Sequence, residues 1–306
     1  MQPVSSILVV VDLSPAAADA VAKAVLLARR FKARVELFMC DAERGYALSQ
    51  AYIPAGVREA QKACVERIRT YLESLKQAAA APDVPITVDA ACESPLYESV
   101  VRKVMRERPD LVIKNATCAK DQTAVSFDAT DWQLMRTCPA TLLLTRGRAW
   151  QLLPRFAAAI DASGTESAEV AGNILQAARL LLGCAGGELD VIYAEPVELE
   201  DAERESGTHA LYELVENISD AAPRVHVLSG DPEVSLPKFV SRNAYDAMLL
   251  GALTHKPAYT AQVGTLTSKL VEAAKCDFLL VKPTAYRSPI PAARVRRTSE
   301  VMSKSP

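Results

Sequence analysis

The sequence predicts an α/β protein made of two tandem, doubly wound, five-stranded parallel-sheet domains that pack together as a pseudo-dimer. Three observations support this prediction. Apolar strand-like runs alternate with amphipathic helical patterns, which is typical of βαβ units. The strands are continuous apolar runs, as expected when both faces of a sheet are covered. The opening pattern, Ile7–Asp12 followed by Ser14 and an Ala-rich run, returns as Ala157–Asp161 followed by Ser163.

The predicted elements follow the same order in both halves. In the first half we expect strands at 7–12, 34–40, 86–92, 110–115 and 140–145, with helices at 15–32, 55–80, 95–107 and 130–136. In the second half we expect strands at 157–161, 188–194, 224–229, 247–252 and 278–283. Such sheets bind ligands at the carboxyl ends of their strands, where the strand order reverses. Asp12 and Asp161 both end a first strand at such a place.

A second repeated pattern shows that the repeat is a duplicated domain. Asp110–Asn115 matches Asp246–Gly251, and each is followed by a cysteine that precedes a final apolar strand. A chain of 306 residues fits two domains of about 150 residues each. We therefore expect domains at 1–148 and 154–284, with Trp150 of the short join at their interface. The remainder, 285–306, carries a net charge of +4 and is expected to be a flexible tail.

Composition bounds the class of protein. The formal net charge of −2 argues against a nucleic-acid-binding protein. No apolar stretch approaches the roughly 18–20 residues needed to span a bilayer. The first residues show no basic segment typical of a secretory signal. The seven scattered cysteines form no disulfide framework, so we expect a reducing cytoplasm.

The second half carries the clearest candidate binding site. Gly251 ends the fourth strand, and a glycine there lets the backbone approach a ligand closely. Gly264 and Thr265 open the next helix, whose free N–H groups suit a phosphate. Thr265 and Ser268 offer hydroxyl donors to a ligand. The alternative is an ordinary loop with an ordinary helix cap.

These residues resemble the universal stress protein family, and the resemblance covers both halves. The family signature is G-x-x-G-x(9)-G-[ST], and Gly251, Gly264 and Thr265 match it, whereas Thr254 replaces the second glycine. The resemblance implies that this loop holds the ribose and phosphates of ATP, that Asp161 contacts the adenine, and that Ala194 lies against the base.

The replaced glycine predicts a changed loop in the second half. If this position needs a positive φ, the β-branched Thr254 is strained there, and Pro257 stiffens the loop further. We therefore expect reduced affinity for ATP or another adenine nucleotide. A different ligand with a diphosphate or an apolar tail is the alternative.

The first half looks like a degenerate copy of this site. Its equivalent loop, Asn115–Asp128, contains no glycine, so the backbone cradle for phosphates is missing. Phe127 is expected to fill the pocket, and Asp12 is also suited to capping the next helix.

Cysteines suggest a minor alternative in the first half. Cys40 and Cys92 end strands and Cys118 lies in the loop after a strand, so all three are expected at the same edge of the sheet, with Asp12 or Asp41 nearby. Thiolates can bind zinc. However, this half has no C-x-x-C motif and no histidine, so a metal site is not expected and buried apolar cysteines are the simpler interpretation.

The sequence favours a binding protein over an enzyme. The sequence shows no recognisable pairing of a nucleophile with a general base, so we expect slow ATP hydrolysis at most. The preferred hypothesis is a stress-response protein that binds a ligand and signals through a change in shape or partner. The alternative is an interaction scaffold without a nucleotide. We expect the final strands, Ala140–Thr145 and Phe278–Lys282, to meet within one chain. A further homodimer of these chains is compatible with the sequence. The sequence identifies no protein partner.

Overall fold

The computed structural model describes residues 4–51, 54–116, 127–161, 167–195, 201–216, 223–252 and 265–292. In this part of the chain, the strands of both halves join into one ten-stranded sheet. Helices cover both faces of the sheet and bury two apolar clusters against it. The predicted α/β fold with tandem doubly wound halves is confirmed.

The elements of the first half lie close to their predicted positions. They are β1 (Ser6–Val10), α1 (Ala17–Phe31), β2 (Arg34–Cys40), α2 (Ala42–Ser49), α3 (Pro54–Ala78), β3 (Ile86–Ala91), α4 (Leu96–Glu107), β4 (Leu111–Asn115), α5 (Ala129–Thr137) and β5 (Thr141–Thr145). Helix α2 was not predicted. Asp41 caps it by accepting a hydrogen bond from the Arg44 N–H at 2.9 Å.

The second half repeats this order. Its elements are β6 (Arg155–Ala159), α6 (Ser167–Ala185), β7 (Glu188–Glu195), α7 (Asp201–Glu216), β8 (Arg224–Ser229), α8 (Pro232–Arg242), β9 (Ala247–Gly251), α9 (Thr265–Ala273) and β10 (Asp277–Val281). All five predicted strands are present. The apolar side chains of β6, β7, β9 and β10 are buried beneath helices on both faces, whereas the edge strand β8 is only partly buried.

The strand order places a switch point in each half. The order across the sheet is β3-β2-β1-β4-β5-β10-β9-β6-β7-β8. Strand β1 pairs in parallel with β2 on one side and β4 on the other, and β6 does the same with β7 and β9. The chain therefore reverses its winding beside β1 and beside β6, where ligands bind in such sheets.

The two halves meet at their final strands. Strands β5 and β10 pair antiparallel, with Leu142 opposite Leu280 and Leu144 opposite Phe278. This pairing covers an edge strand that each half would otherwise expose. The expected packing of the halves as a pseudo-dimer is confirmed.

A buried polar cluster holds the join between the halves. The Asp277 carboxylate accepts hydrogen bonds from the Arg146 N–H at 2.8 Å and from the Trp150 indole N–H at 2.7 Å. The Lys23 ammonium of α1 lies 2.6 Å from the same carboxylate, and both side chains are almost fully buried. Trp150 also packs edge-on against Phe156. The join is therefore fixed to both domains at Trp150.

The chain after β10 crosses onto the first domain. The Lys282 ammonium donates to the carbonyl of Cys138, and the Tyr286 hydroxyl donates to the carbonyl of Arg136. Ile290 packs against one of the two apolar clusters. The part of the expected flexible tail that the structure describes, 285–292, thus has contacts with the first domain.

Candidate functional site

The candidate site of the second half lies at the switch point beside β6. Asp161 follows β6 and is exposed, and Gly251 ends the neighbouring strand β9. Ala194 lies near the end of β7 on the other side of β6 and is buried. The topology therefore brings these three predicted residues to the same edge of the sheet.

Gly251 fits this place because there is little room beside it. A Cβ atom at this position would lie 3.1 Å from the Cγ1 atom of Val170 in α6, which is closer than most real Cβ contacts. The Gly251 carbonyl accepts a hydrogen bond from the Thr267 hydroxyl at 3.0 Å. This bond ties the first turn of α9 to the end of β9, so the start of the helix has a fixed position next to the strand.

The start of α9 carries no carboxylate of its own. Thr265 is exposed at its first position, Ser268 is half-buried, and the first turn contains no acidic residue. The unpaired N–H groups and the positive end of the helix dipole at such a terminus attract anions. Thr254 and Gly264, the other predicted site residues, lie outside the described residues.

Tyr193 is a further candidate site residue, which the sequence reasoning did not name. It lies next to Ala194 and is 2% exposed. Among the described residues its hydroxyl is buried and has no hydrogen-bond partner. Burial raises its pKa, and the charges of Asp161 and then Glu195 raise it further. Buried polar groups without a partner are rare in proteins, so this hydroxyl is available to an acceptor that is not part of the described chain.

The same switch point in the first half is closed by a side chain. Asn115 stands where the second half has Gly251, and it is 3% exposed. Its amide donates to the Ala116 carbonyl at 3.1 Å, and its carbonyl oxygen accepts from the Thr145 hydroxyl at 3.3 Å. The side chain is therefore fully engaged within the sheet.

Carboxylates occupy the helix terminus that would face a phosphate in the first half. Asp128 and Asp131 form a capping box at the start of α5: the Asp131 N–H donates to Asp128 at 2.8 Å, and the Asp128 N–H donates to Asp131 at 3.1 Å. Asp131 also pairs with the buried Lys114 ammonium at 2.6 Å. The helix terminus thus has its own anionic groups.

Phe127 packs in a place that the sequence did not predict. Its ring makes edge-on contacts with Trp132 at 6.1 Å and with Phe278 at 5.9 Å, measured between ring centroids. The Arg146 guanidinium lies 4.9 Å from the centre of the ring. Phe127 thus packs at the interface between the two halves, against Phe278 of β10.

The cysteines that the structure describes in the first half are buried thiols. Cys40 ends β2 and Cys92 follows β3, as predicted, whereas Cys118 lies outside the described residues. Cys64 of α3, which the sequence reasoning overlooked, lies beside Cys92, and burial raises the pKa of Cys92 to about 12. A protonated thiol is a poor metal ligand. No group of side chains able to hold a metal ion is found among the described residues.

Comparison with known proteins identifies the family. The family model described as "Universal stress protein family" matches residues 4–146. Curated proteins named Universal stress protein E match both halves: that of Salmonella typhi is 24% identical, covering 93% of this chain and 96% of its own. That of Escherichia coli K12 is 22% identical with the same coverage. Residues 4–146 belong to the universal stress protein family, and the similarity to Universal stress protein E extends over both halves.

Solved structures show the same tandem fold of this family. A putative universal stress protein from Pseudomonas aeruginosa UCBPP-PA14 has a TM-score of 0.73 at 20% identity, covering 92% of this chain and 94% of its own. A universal stress protein from Archaeoglobus fulgidus has a TM-score of 0.61 at 14% identity, covering 91% and 96%. No helix in the described ranges is long and apolar enough to cross a membrane.

Proposed function

We propose that this universal stress protein binds one adenine nucleotide, with ATP as the first candidate, at the switch point of its second half. The observation that carries the proposal is the contrast between two equivalent helix termini. Helix α5 begins with the carboxylates of Asp128 and Asp131, whereas α9 begins with Thr265 and has no acid in its first turn. The first terminus repels a phosphate and the second attracts one.

The remaining residues of the second site suit the nucleoside end of such a ligand. Asp161 offers a carboxylate to an amino group of the base, and the small side chain of Ala194 leaves room beside it. The unpartnered Tyr193 hydroxyl is a further hydrogen-bond donor close to Asp161. A nucleotide placed across this edge would thus meet an acceptor, a donor and a helix terminus.

The site is proposed for binding and not for dedicated catalysis. Thr254 in place of a glycine and the nearby Pro257 favour a reduced affinity, because both restrict the loop backbone. Nucleotide binding would then act through a change in shape or partner, with slow ATP hydrolysis at most. An interaction scaffold without a nucleotide is the competing function.

The test places the same substitution at the two helix starts. Thr265→Asp adds a carboxylate at the first position of α9, where an acid also favours the helix itself, so folding should be retained. Ala129→Asp makes the equivalent change in α5 and is the matched control. We expect Thr265→Asp to weaken ATP binding at least about tenfold by calorimetry and Ala129→Asp to leave it unchanged.

Adenosine separates the two ends of the site. It lacks phosphates, so its affinity should be the same for the native chain and the Thr265→Asp variant. If native protein binds neither ATP nor adenosine and carries no copurified nucleotide, the scaffold function is favoured instead. If both variants bind ATP as well as the native chain does, the phosphate assignment is wrong.

A further inference from the structure

The outer edge of the sheet in the first half forms a long groove. Its floor is the free edge of β3, and its walls are α3 and α4; we call it the β3 groove. Two cavities of about 1020 and 760 Å³ lie along it and share Glu66 as a lining residue. Together they follow the whole strand, from Ile86 to beyond Ala91. The shape is that of a channel for an extended chain.

Among the described residues, no strand pairs with the outer edge of β3. The Val35 N–H donates to the Pro85 carbonyl and the Asp41 N–H donates to the Ala91 carbonyl, so odd-numbered residues of β3 face β2. Even-numbered residues, with Val88 at the centre, therefore direct their N–H and carbonyl groups outward.

Two outward groups near the end of β3 are already satisfied within the chain. The Ala90 N–H donates to the Asp89 carboxylate at 2.9 Å, and the Cys92 carbonyl accepts from the Gln61 amide at 3.3 Å. An added strand would consequently pair with the segment Ile86–Ala90, mainly through Val88.

The groove is basic in a chain that is slightly acidic. Its lining contains seven basic and four acidic residues: Arg58, Lys62, Arg69, Lys76, Arg102, Lys103 and Arg106, against Glu66, Glu73, Asp89 and Glu93. The formal net charge of the whole chain is −2. Four of these basic residues are ion-paired: Lys76 with Glu73, Arg102 with Glu98, Lys103 with Glu36 and Asp89, and Arg106 with Glu107. The positive charge available to a partner therefore lies on the α3 wall.

The basic residues are arranged along both walls. Arg58, Lys62 and Arg69 lie on one face of α3, because positions four and eleven residues apart coincide on a helix. All three are exposed, and none has an ion-pair partner among the described residues. On the opposite wall, Arg102 and Arg106 are one turn apart in α4.

We propose that the β3 groove binds an extended acidic segment of a partner protein, which adds to the sheet as an eleventh strand beside β3. Main-chain hydrogen bonds to Val88 would give such a segment its register, as in other cases of strand addition. Successive side chains of a strand point to opposite faces, so acidic side chains at every second position would all face the α3 wall, where Arg58, Lys62 and Arg69 lie.

Charge disfavours two other occupants of the groove, and the lack of exposed aromatic side chains disfavours a third. Ala292, the last described residue, lines the larger cavity. The residues that follow it, 293–306, carry Arg294, Arg296, Arg297 and Lys304 against Glu300, so their charge opposes binding beside the basic α3 wall. A second copy of the chain paired through β3 would bring two basic grooves together. A nucleic acid strand would lack a platform for base stacking, since Phe38 is the only aromatic lining residue and is 2% exposed.

The binding test uses a fluorescein-labelled ten-residue peptide of alternating Glu and Thr, measured by fluorescence anisotropy with the full-length chain. One control peptide has Lys in place of Glu. A second control keeps the Glu residues but carries N-methyl groups on alternate backbone amides, which blocks strand pairing and preserves the charge. We expect only the unmodified acidic peptide to bind. Equal binding of the N-methylated peptide, or failure of the unmodified acidic peptide to bind, would overturn the proposal.

Charge-reversal variants locate the peptide. Arg58→Glu with Lys62→Glu should weaken binding at least about tenfold. Arg179→Glu with Lys238→Glu, two exposed basic residues of the second half, is the matched control and should bind as the native chain does. An equal loss in both double variants would mean non-specific attraction and refute the assignment to the β3 groove.

Hydrogen exchange at single-residue resolution gives a readout that needs no variant. The Val88 amide should exchange rapidly in the free chain and at least about tenfold more slowly with saturating peptide. Slow exchange in the free chain would show that the tail or a second copy already covers β3, which contradicts the proposal. No slowing on peptide binding would exclude strand addition.

Discussion

Lys282 should make the stability of this protein depend on pH in a way that a single substitution removes. The side chain is 8% exposed, donates to the Cys138 carbonyl, and lies 4.5 Å from the centre of the Tyr286 ring. No carboxylate pairs with it among the described residues. Burial therefore lowers its pKa from 10.5 to about 8.

The lowered pKa fixes the sign of the effect. Below pH 8 the lysine is protonated in both the folded and the unfolded state, so the folded state carries the full penalty of a buried charge. Between pH 8 and 10.5 only the unfolded state keeps the proton, so stability rises with pH. A difference of about 2.5 pKa units corresponds to about 3 kcal/mol.

The contribution of Lys282 to stability can be measured by urea unfolding of the native chain and of Lys282→Met. Both proteins are unfolded at pH 7 and at pH 10.5 with a reductant present. The variant lacks the titrating group, so its advantage over the native chain should shrink by about 3 kcal/mol between the two pH values. Buried thiols that do not interact with Lys282, such as Cys276 with a pKa of about 12, lower the stability of both proteins at high pH and cancel in the difference. Cys138 does interact with Lys282, so its contribution does not cancel. Lys238→Met, at an exposed lysine, is the control. A difference that changes by less than about 1 kcal/mol would refute the reasoning.

Three further predictions concern the seam and the site. Asp277→Asn leaves the Lys23 charge buried without its partner and should cost about 3 kcal/mol or more in urea unfolding; no loss would mean that the pair is unimportant. Phe278→Ala removes a fully buried ring from β10 and should cost about 3–5 kcal/mol in the same measurement. Gly264→Val should abolish ATP binding by calorimetry because a branched side chain blocks the helix-start amides, whereas Asp12→Ala should barely affect it; the reverse order would place the site in the first half.

The sequence was sufficient to predict the sheet because the strands are long apolar runs. Strands β2 and β8 have the predicted bounds. The structure also gives a physical reason why Asp110 and Asp246 occur at equivalent positions of the repeat. The Asp110 carboxylate accepts from the N–H groups of Ser5 and Ser6, and Asp246 accepts from those of Gln151 and Arg155. Each carboxylate anchors the start of the first strand of its half, which explains its place in the repeat.

Helix α2 was missed because its local signals are weak. The segment Ala42–Ser49 is short, contains Gly45, and follows a strand directly. The glycine has a tertiary reason: a Cβ atom there would lie 2.6 Å from the backbone of Glu93. Such a contact between distant segments cannot be inferred from a local pattern.

The positions of the candidate site residues could be predicted only in part. Asp161, Ala194 and Gly251 were named from the ends of recognisable strands and from the family resemblance, and their part in binding stays a prediction. Tyr193 was missed because it lies within an apolar run, and the sequence of such a run does not show whether a hydroxyl in it has a hydrogen-bond partner. The capping box of α5 could have been recognised in the sequence from Asp128 and Asp131, which are three residues apart. This signal could have shown that the helix start in the first half is unsuited to binding a phosphate.

The number of ATP molecules bound per chain tests the central claim most directly. Calorimetric titration of the full-length native chain should give one site, and the Thr265→Asp variant should lose it while Ala129→Asp keeps it. Two equivalent sites per chain, or a single site that survives Thr265→Asp and disappears with Ala129→Asp, would contradict the assignment of the nucleotide to the second half.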